Sequence, residues 1–201
     1  MNKEPLLLAS FCAVFLISSH QLNSQTSKNE QKHFQPLSYE QAGKKADSVL
    51  ALMTKEGVFV GYRWYESKNL EPLYPFGHGL SYTAFEYGDL NVSKQKFNEN
   101  DVITVSFAVK NIGGRKGLEI AQLYIQDVEC SVPRPIKELK GFQKVDLEPG
   151  QSKIVQLQLN KKAFSYWNPQ TKDWFAEKGR FIIHVGSSSK DLRLKKELEL
   201  I

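Results

Sequence analysis

The sequence predicts a mainly β protein: an antiparallel β-sandwich, preceded by a short helix and an extended aromatic connector. After residue 84 the chain contains several strand-like segments, FEYGDLNVSK, VITVSFAVKN, EIAQLYIQD, KIVQLQLN, RFIIHVGS and LRLKKELEL. Turn signals separate them at Asn111–Gly114, Glu148–Gly150 and Glu177–Gly179, and no helical period intervenes. Short strands at this spacing are typical of a sandwich, and residues 85–201 have about the length of one.

Apolar and polar residues alternate within these segments. In the second segment the alternation places Val105, Phe107 and Val109 on one face. In the third segment Ile120 groups with Leu123 and Ile125, although the period is imperfect. Because alternate side chains of a strand point to opposite faces, these groups are expected to form the core.

The N-terminus, residues 1–24, is predicted to be a secretory signal peptide. Its apolar run, Leu6–Ser18, is too short for a transmembrane helix and suits the hydrophobic region of a leader. The protein is therefore expected to be exported, to the periplasm or the extracellular space, with no integral membrane segment after leader removal. Residues 25–37 are polar and bounded by proline, which is typical of a linker.

Residues 38–56, SYEQAGKKADSVLALMTKE, are predicted to form a helix. Ser38 is followed three residues later by Gln41, which is a capping-box pattern. Apolar residues recur at helical spacing on one face. They are Ala42, Ala46, Val49, Leu50 and Met53.

Residues 57–84 are predicted to be an extended connector. GVFVGYRWYE reads as a short β-like run that is dense in aromatics, and NLEPLYPFGHGLSYT is interrupted by proline and glycine. Such a segment is expected to lie against another domain. Its candidate packing residues are Tyr62, Trp64, Tyr65, Tyr74, Phe76, His78 and Tyr82.

Composition excludes some functions. The 201 residues are 41% hydrophobic and 24% charged, with a net charge of +5, which is ordinary for a globular protein. Lys and Arg are scattered rather than clustered with stacking aromatics, so nucleic acid is not an expected partner. Cys130 is the one cysteine outside the leader, and it is interpreted as a small apolar filler.

No chemistry-bearing motif stands out. The Gly-His-Gly sequence around His78 has no second metal ligand at workable spacing, so a structural imidazole is expected there. Neither a bound metal nor a cofactor is expected. Glycoside hydrolysis would need two carboxylates across a cleft. The candidates are Asp127, Glu129, Glu138, Asp173 and Glu177, and nothing in the sequence brings any two together.

Aromatic residues also occur within the predicted sandwich. Tyr166, Trp167 and Trp174 flank the turn NPQTKD. If these rings were exposed on one plane they would form a sugar-stacking platform, and otherwise they would cover the turn of their own hairpin. Both interpretations remain open.

Several stretches resemble one known family. EGVFVGYRWYESKNLEPLYPFGHGLSYTAFEYGDL, NIGGRKGLEIAQLYIQD, SVPRPIKELKGFQKVDLEPGQSK and FIIHVGSSSKDLRL follow one another in this order. Over roughly residues 57–201 they resemble the C-terminal portion of glycoside hydrolase family 3 enzymes, the β-glucosidases and β-xylosidases. The shorter stretch ADSVLALMTKE resembles the first helix of that family.

The resemblance implies an immunoglobulin/fibronectin type III-like sandwich preceded by a remnant of the family's second, α/β domain. It also implies that the catalytic domains are missing between residues 56 and 57, so that the chain is a truncated form. The family's nucleophile is an aspartate in a Ser-Asp-Trp-like stretch, to which Asp173 does not correspond. The acid/base glutamate belongs to the missing second domain. Neither catalytic carboxylate is therefore expected here.

Three functions follow as hypotheses. The first is a non-catalytic accessory domain, whose partner would be glycosidase catalytic domains. Its connector would then be exposed, and limited proteolysis is expected to cut the chain before about Phe85. The second is a carbohydrate-binding module that uses Tyr166, Trp167 or Trp174. The third, by family resemblance alone, is a hydrolase of O-glycosyl bonds.

Overall fold

A computed structural model describes residues 57–201 of the chain, which form an antiparallel β-sandwich. The signal peptide, linker and helix predicted for residues 1–24, 25–37 and 38–56 lie outside the described residues. The mainly β prediction for the sandwich is confirmed.

Two short helices and ten strands make up this part of the chain. The helices are α1 (Tyr62–Ser67) and α2 (Lys161–Phe164). The strands are β1 (Phe85–Val92), β2 (Lys96–Phe97), β3 (Ile103–Asn111), β4 (Gly117–Asp127), β5 (Glu138–Leu147), β6 (Ser152–Leu159), β7 (Tyr166–Asn168), β8 (Asp173–Phe175), β9 (Gly179–Gly186) and β10 (Leu192–Leu200).

The strands form two packed sheets and a separate hairpin. The three-stranded sheet has the order β1-β3-β6, and the five-stranded sheet has the order β2-β10-β9-β4-β5. All pairs are antiparallel except β2 with β10, which run parallel. Strands β7 and β8 form the hairpin. Non-sequential neighbours in both sheets mean that the chain crosses between them, as it does in immunoglobulin-like sandwiches.

The core lies between the two sheets. As the alternation predicts, Val105, Phe107 and Val109 of β3 are fully buried and face inward. Leu123 and Ile125 of β4 face them from the other sheet. The grouping of Ile120 with these two residues was wrong: its side chain is 46% exposed. Ile120 lies three positions before Leu123, and an odd offset along a strand places a side chain on the opposite face.

The GVFVGYRWYE segment differs from the β-like run that its aromatics suggested. Its second half is helix α1, and Gly61 precedes this helix with a φ of 59°. Aromatic residues have only a weak helix propensity, so the helix depends on packing rather than on local preference. The pattern also failed to predict β5, whose outward residues give no clean alternation and whose pairing with β4 shifts register beside Gly141.

The turn after β3 is held by a buried asparagine. The Asn111 side-chain amide donates hydrogen bonds to the carbonyl oxygens of Arg115 (2.7 Å) and Leu147 (3.0 Å). Its Oδ1 accepts from the Thr83 hydroxyl (2.6 Å) and from the Gly113 amide (3.0 Å). One side chain thus joins the last residues of the connector, the turn, and the end of β5.

Candidate docking surface

The chain before β1 lies on the outer face of the five-stranded sheet, away from the core. The Tyr62 ring of α1 meets the Tyr124 ring of β4 edge to face, with 5.9 Å between centroids. Phe76 stacks on Tyr62 at 4.9 Å. Tyr124 is fully buried although it alternates with the core residue Leu123. The connector therefore covers the middle of this sheet.

A buried ion pair joins α1 to the sandwich. Glu66 Oε1 lies 2.5 Å from Lys137 Nζ, and the two side chains are only 5% and 9% exposed. Nearby, the Leu139 amide donates a hydrogen bond to the Tyr62 hydroxyl oxygen at 2.8 Å. Glu66 Oε2 is buried and has no hydrogen-bond partner among residues 57–201. A charge pair with so few other partners holds α1 only while both members are present.

Gln122 of β4 makes the second attachment. Its amide donates to the Ser187 carbonyl oxygen at 2.5 Å and to the Gly77 carbonyl oxygen at 3.4 Å, and its Oε1 accepts from the Tyr124 hydroxyl at 2.5 Å. Burial raises the pKa of Tyr124, so this hydroxyl remains a donor. Gly77 has a φ of 80°, and a Cβ there would overlap the Gln122 amide. Only glycine fits this approach.

The backbone beside Gly77 is also fixed. The Ser189 amide donates to the Phe76 carbonyl oxygen at 2.9 Å, and the His78 amide donates to the Pro75 carbonyl oxygen at 3.0 Å. The His78 side chain is exposed, and its imidazole stacks on the Tyr74 ring at 5.4 Å. The sequence predicted an imidazole held by hydrogen bonds between glycines, whereas the structure shows one that extends a ring stack.

A second histidine, His184, lies beside Tyr124 on the outer face of the five-stranded sheet. His184 of β9 pairs with Tyr124 across the sheet, and its Nε2 is 3.0 Å from Gln126 Oε1. Burial, reinforced by Lys137 and Lys195, lowers the pKa of His184 to about 4. The imidazole is therefore neutral at physiological pH.

Several apolar side chains of the connector point away from the sandwich. Leu80 and Tyr82 are 95% and 91% exposed, and Leu73 and Tyr74 are 87% and 68% exposed. Three more apolar side chains are exposed on the outer face of β4 and β5. They are Leu118, Ile120 and Phe142. Large apolar patches of this kind mark interaction surfaces.

The predicted connector residues therefore divide into two groups. Tyr62 packs within the domain, which differs from the interdomain role that the sequence suggested, and Phe76 contacts it while staying 47% exposed. Trp64 lies under the Lys68 ammonium group at 4.9 Å, and Tyr65 is 43% exposed. Tyr74, His78 and Tyr82 are free to contact a partner. We call Tyr74, His78 and Tyr82, together with Leu73 and Leu80, the docking surface.

The predicted sugar-stacking residues lie in the β7–β8 hairpin. Trp167 and Trp174 pair across it, are 51% and 39% exposed, and meet edge to face with 75° between their planes. Tyr166 meets Phe175 in the same way at 79°. The rings thus cover their own hairpin and do not lie on one plane.

The structure brings two of the carboxylate candidates together. Asp127 and Glu138 both bind Arg134, with N–O distances of 2.7 and 3.0 Å. Burial alone would raise the pKa of Glu138, but Lys140, Arg134 and Arg63 outweigh it and hold that pKa below its ordinary value. These carboxylates are engaged in ion pairs instead of facing each other across a cleft.

The other candidates lie elsewhere. Glu129 pairs with Arg180, Glu177 accepts hydrogen bonds from Ser131, and Asp173 begins β8. Within residues 57–201 no three His, Cys, Asp or Glu side chains come together as metal ligands would. The same part of the chain contains no helix of the length and hydropathy that a membrane span requires.

Sequence reasoning did not single out Glu66, Lys137 or Gln122. One signal was available for Gln122, since it interrupts the apolar run of β4, and a polar residue at such a position must find partners when it is buried. Glu66 and Lys137 are 71 residues apart and carried no comparable signal.

Comparison with known proteins relates the chain to one group of enzymes. The family model "Fibronectin type III-like domain" matches residues 119–189. Thermostable beta-glucosidase B of Acetivibrio thermocellus is 56% identical over 146 residues, which is 73% of this chain and 19% of that protein. Beta-glucosidase BoGH3A of Bacteroides ovatus is 48% identical over 139 residues, 69% of this chain and 19% of that protein.

Solved structures agree. The GH3 β-glucosidase of Bifidobacterium adolescentis superposes with a TM-score of 0.69 at 38% identity, covering 73% of this chain and 21% of that one. β-Glucosidase 3B of Thermotoga neapolitana, in complex with glucose, gives 0.67 at 39% identity, covering 73% and 20%. This chain thus spans about a fifth of the length of the relatives that it matches.

Proposed function

We propose, from the premise that this chain carries a fibronectin type III-like domain homologous to the C-terminal region of family 3 β-glucosidases, that its function is non-catalytic. It is an accessory domain whose docking surface packs against the catalytic part of such a glycosidase and supports it. The observation that carries the proposal is the exposure of Leu73, Leu80 and Tyr82 on a connector that is itself anchored to the sandwich. Exposed apolar groups on a fixed scaffold are suited to association.

The chemistry of the described residues supports a non-catalytic role. A glycosidase of this kind needs a carboxylate pair with free access to substrate. Here Asp127 and Glu138 are both engaged in ion pairs with Arg134. Asp173 lies in an exposed hairpin, where its Oδ1 accepts a hydrogen bond from the Trp174 amide at 2.7 Å.

Binding in trans tests this proposal. The partner is thermostable beta-glucosidase B from which the region homologous to residues 57–201 has been deleted. Wild-type chain is expected to bind it and to raise its melting temperature. The variant Leu80→Ser/Tyr82→Ser should bind at least roughly 10-fold more weakly, since central apolar anchors dominate interface energies.

The matched control is Ile154→Ser. Ile154 is 60% exposed, but it lies on the three-stranded sheet, away from the docking surface. Its binding should equal that of the wild type. Failure of the wild-type chain to bind, or equal weakening by both variants, would overturn the proposal.

The exposure of Trp167 and Trp174 favours a second candidate, carbohydrate binding. Because the indoles meet edge to face, stacking would involve one ring at a time. Titration with cello- or xylo-oligosaccharides, followed by tryptophan fluorescence, tests it. No change at millimolar sugar would rule this candidate out.

Export remains part of the proposal. It depends on the apolar run Leu6–Ser18, which precedes the described residues. Expression in a bacterial host followed by cell fractionation tests it, with a Leu8→Arg/Val14→Arg variant as the control that should stay in the cytoplasm.

A further inference from the structure

We propose that the ion pair between Glu66 and Lys137 is a positioning device, which holds the docking surface in its binding conformation before any partner arrives. This inference rests on the proposed function, because it concerns how the same surface is presented. The sandwich itself, through one buried charge pair and Gln122, would then order the side of the interface that this domain contributes.

Helix α1 cannot fix the connector by itself. It has six residues, no side-chain N-cap hydrogen bond and no acidic residue in its first turn. Isolated helices of this length are unstable in water. Its conformation therefore depends on what it contacts. Tyr62 contacts Tyr124 and Leu139, the buried Glu66 pairs with Lys137, and the more exposed Arg63 pairs with Glu138 at 3.2 Å.

The connector is attached to the sandwich at two points along the chain. One anchor is α1 with Glu66, and the other is Phe76–Gly77, held by Ser189 and Gln122. Leu73 and Tyr74 lie between the two anchors, and Leu80 and Tyr82 lie between the second anchor and β1. Each exposed pair is thus bracketed by fixed points. A surface ordered in this way loses less conformational entropy on binding.

The buried ion pair stabilises the attachment of α1 only as a pair. Glu66 has one charged partner, and its other carboxylate oxygen is unpaired and buried among the described residues. Removing either member leaves a buried charge without compensation, which favours release of α1 into water. Replacing both members with apolar side chains of similar size leaves no such charge.

Peptide-resolved hydrogen exchange on the full chain, without a partner, tests this device. Two amides report attachment directly: Leu139 N–H, bound to the Tyr62 oxygen, and Ser189 N–H, bound to the Phe76 carbonyl. In Glu66→Gln the Leu139 amide is expected to exchange roughly 100-fold faster than in the wild type, because an uncompensated buried charge drives local opening. The Ser189 amide should also exchange faster, because Phe76 loses its stacking contact with Tyr62 when α1 is released. The paired variant Glu66→Met/Lys137→Met should recover most of the protection.

The control is Glu129→Gln. It breaks the ion pair between Glu129 and Arg180, which are 59% and 58% exposed. The exchange rates of both amides should stay at their wild-type values. Unchanged exchange in Glu66→Gln would overturn the proposal. Loss of protection in the core strands β3 and β9 as well would also overturn it, because the pair would then support the whole domain and not the connector.

A separate measurement distinguishes this inference from the proposed function. Affinity for the shortened β-glucosidase B should fall in Glu66→Gln and return in the double methionine variant. If the wild type does not bind while Glu66→Gln still releases the connector, the proposed function fails and the positioning device stands. If the wild type binds and Glu66→Gln binds equally well, the device fails and the proposed function stands.

Discussion

Replacing Gly77 by alanine should detach the second anchor of the connector. At a φ of 80° a residue with a Cβ costs roughly 1–2 kcal/mol. The added Cβ would also overlap the Gln122 amide, which must move away from the Ser187 carbonyl oxygen that it contacts at 2.5 Å. Losing a hydrogen bond at this part-buried position costs roughly 1–3 kcal/mol more. The attachment should therefore weaken by about 2–5 kcal/mol.

The assay is hydrogen exchange of the Ser189 amide, which donates to Phe76 next to the substituted residue. A cost of about 2 kcal/mol corresponds to roughly 30-fold faster exchange. The core strands should keep their protection, since Gly77 contacts Gln122 on the outer face of β4 and not the core between the sheets.

Gly79→Ala is the matched control two residues away. Gly79 has no positive φ, and a Cβ there would meet nothing within 4 Å. Its exchange should stay at the wild-type rate or slow slightly, because alanine restricts the unfolded chain. Equal behaviour of the two variants would refute the reasoning, since it would mean that Gly77 does not lie against Gln122.

Three further predictions follow from the contacts already described. Asn111→Ala should lower the free energy of unfolding by about 2–4 kcal/mol in urea denaturation, because four hydrogen bonds are lost and the Leu147 carbonyl is left without its donor; a loss below about 1 kcal/mol would contradict this. The folded pKa of His184, about 4, lies below its ordinary 6.5, so the unfolded state takes up the proton first and stability should fall as pH drops from about 6.5 to 4. Between pH 7 and 5 the wild type should lose about 1–2 kcal/mol more than His184→Gln, and parallel pH profiles would exclude the imidazole as the cause. The full chain should not hydrolyse an aryl β-glucoside, and turnover that Asp173→Asn abolishes would overturn the non-catalytic assignment.

The sequence predicted the sandwich well where alternation is strict. Val105, Phe107 and Val109 follow a period of two and are buried as expected. Strand β5 was not predicted. It lies at a sheet edge, where pairing with β4 decides its conformation and not an alternation of apolar and polar residues. Helix α1 was missed for a similar reason, since its aromatics favour strands locally and contacts across the fold override that preference.

The aromatic composition of the connector indicated a packing segment, but its arrangement was not predicted. The aromatics and prolines of residues 57–84 indicated a segment that lies on another surface. They did not indicate that the domain's own sheet supplies that surface. The contacts responsible, Glu66 with Lys137 and Gln122 with Gly77, join residues that are 71 and 45 positions apart. Because no local period encodes such pairs, one sequence cannot predict them.

Proteolysis is expected to reflect this arrangement. The prediction that a protease cuts the connector before about Phe85 now applies to the exposed stretches around Tyr74 and Tyr82. The α1 segment should resist cutting while Glu66 and Tyr62 hold it, because a protease needs several residues of free, extended chain.

The positions of the tryptophans determine which part of this protein tryptophan fluorescence reports on. All three indoles lie outside the core: Trp64 is in α1, and Trp167 and Trp174 are in the β7–β8 hairpin. The large side chains buried between the sheets are phenylalanine and aliphatic residues together with Tyr87, and none of them is tryptophan. Tryptophan emission therefore reports on α1 and the β7–β8 hairpin, at the periphery of the sandwich, whereas far-ultraviolet circular dichroism reports on the sheets. Two melting curves that do not coincide would here indicate an early loosening of the periphery, with the sandwich still intact.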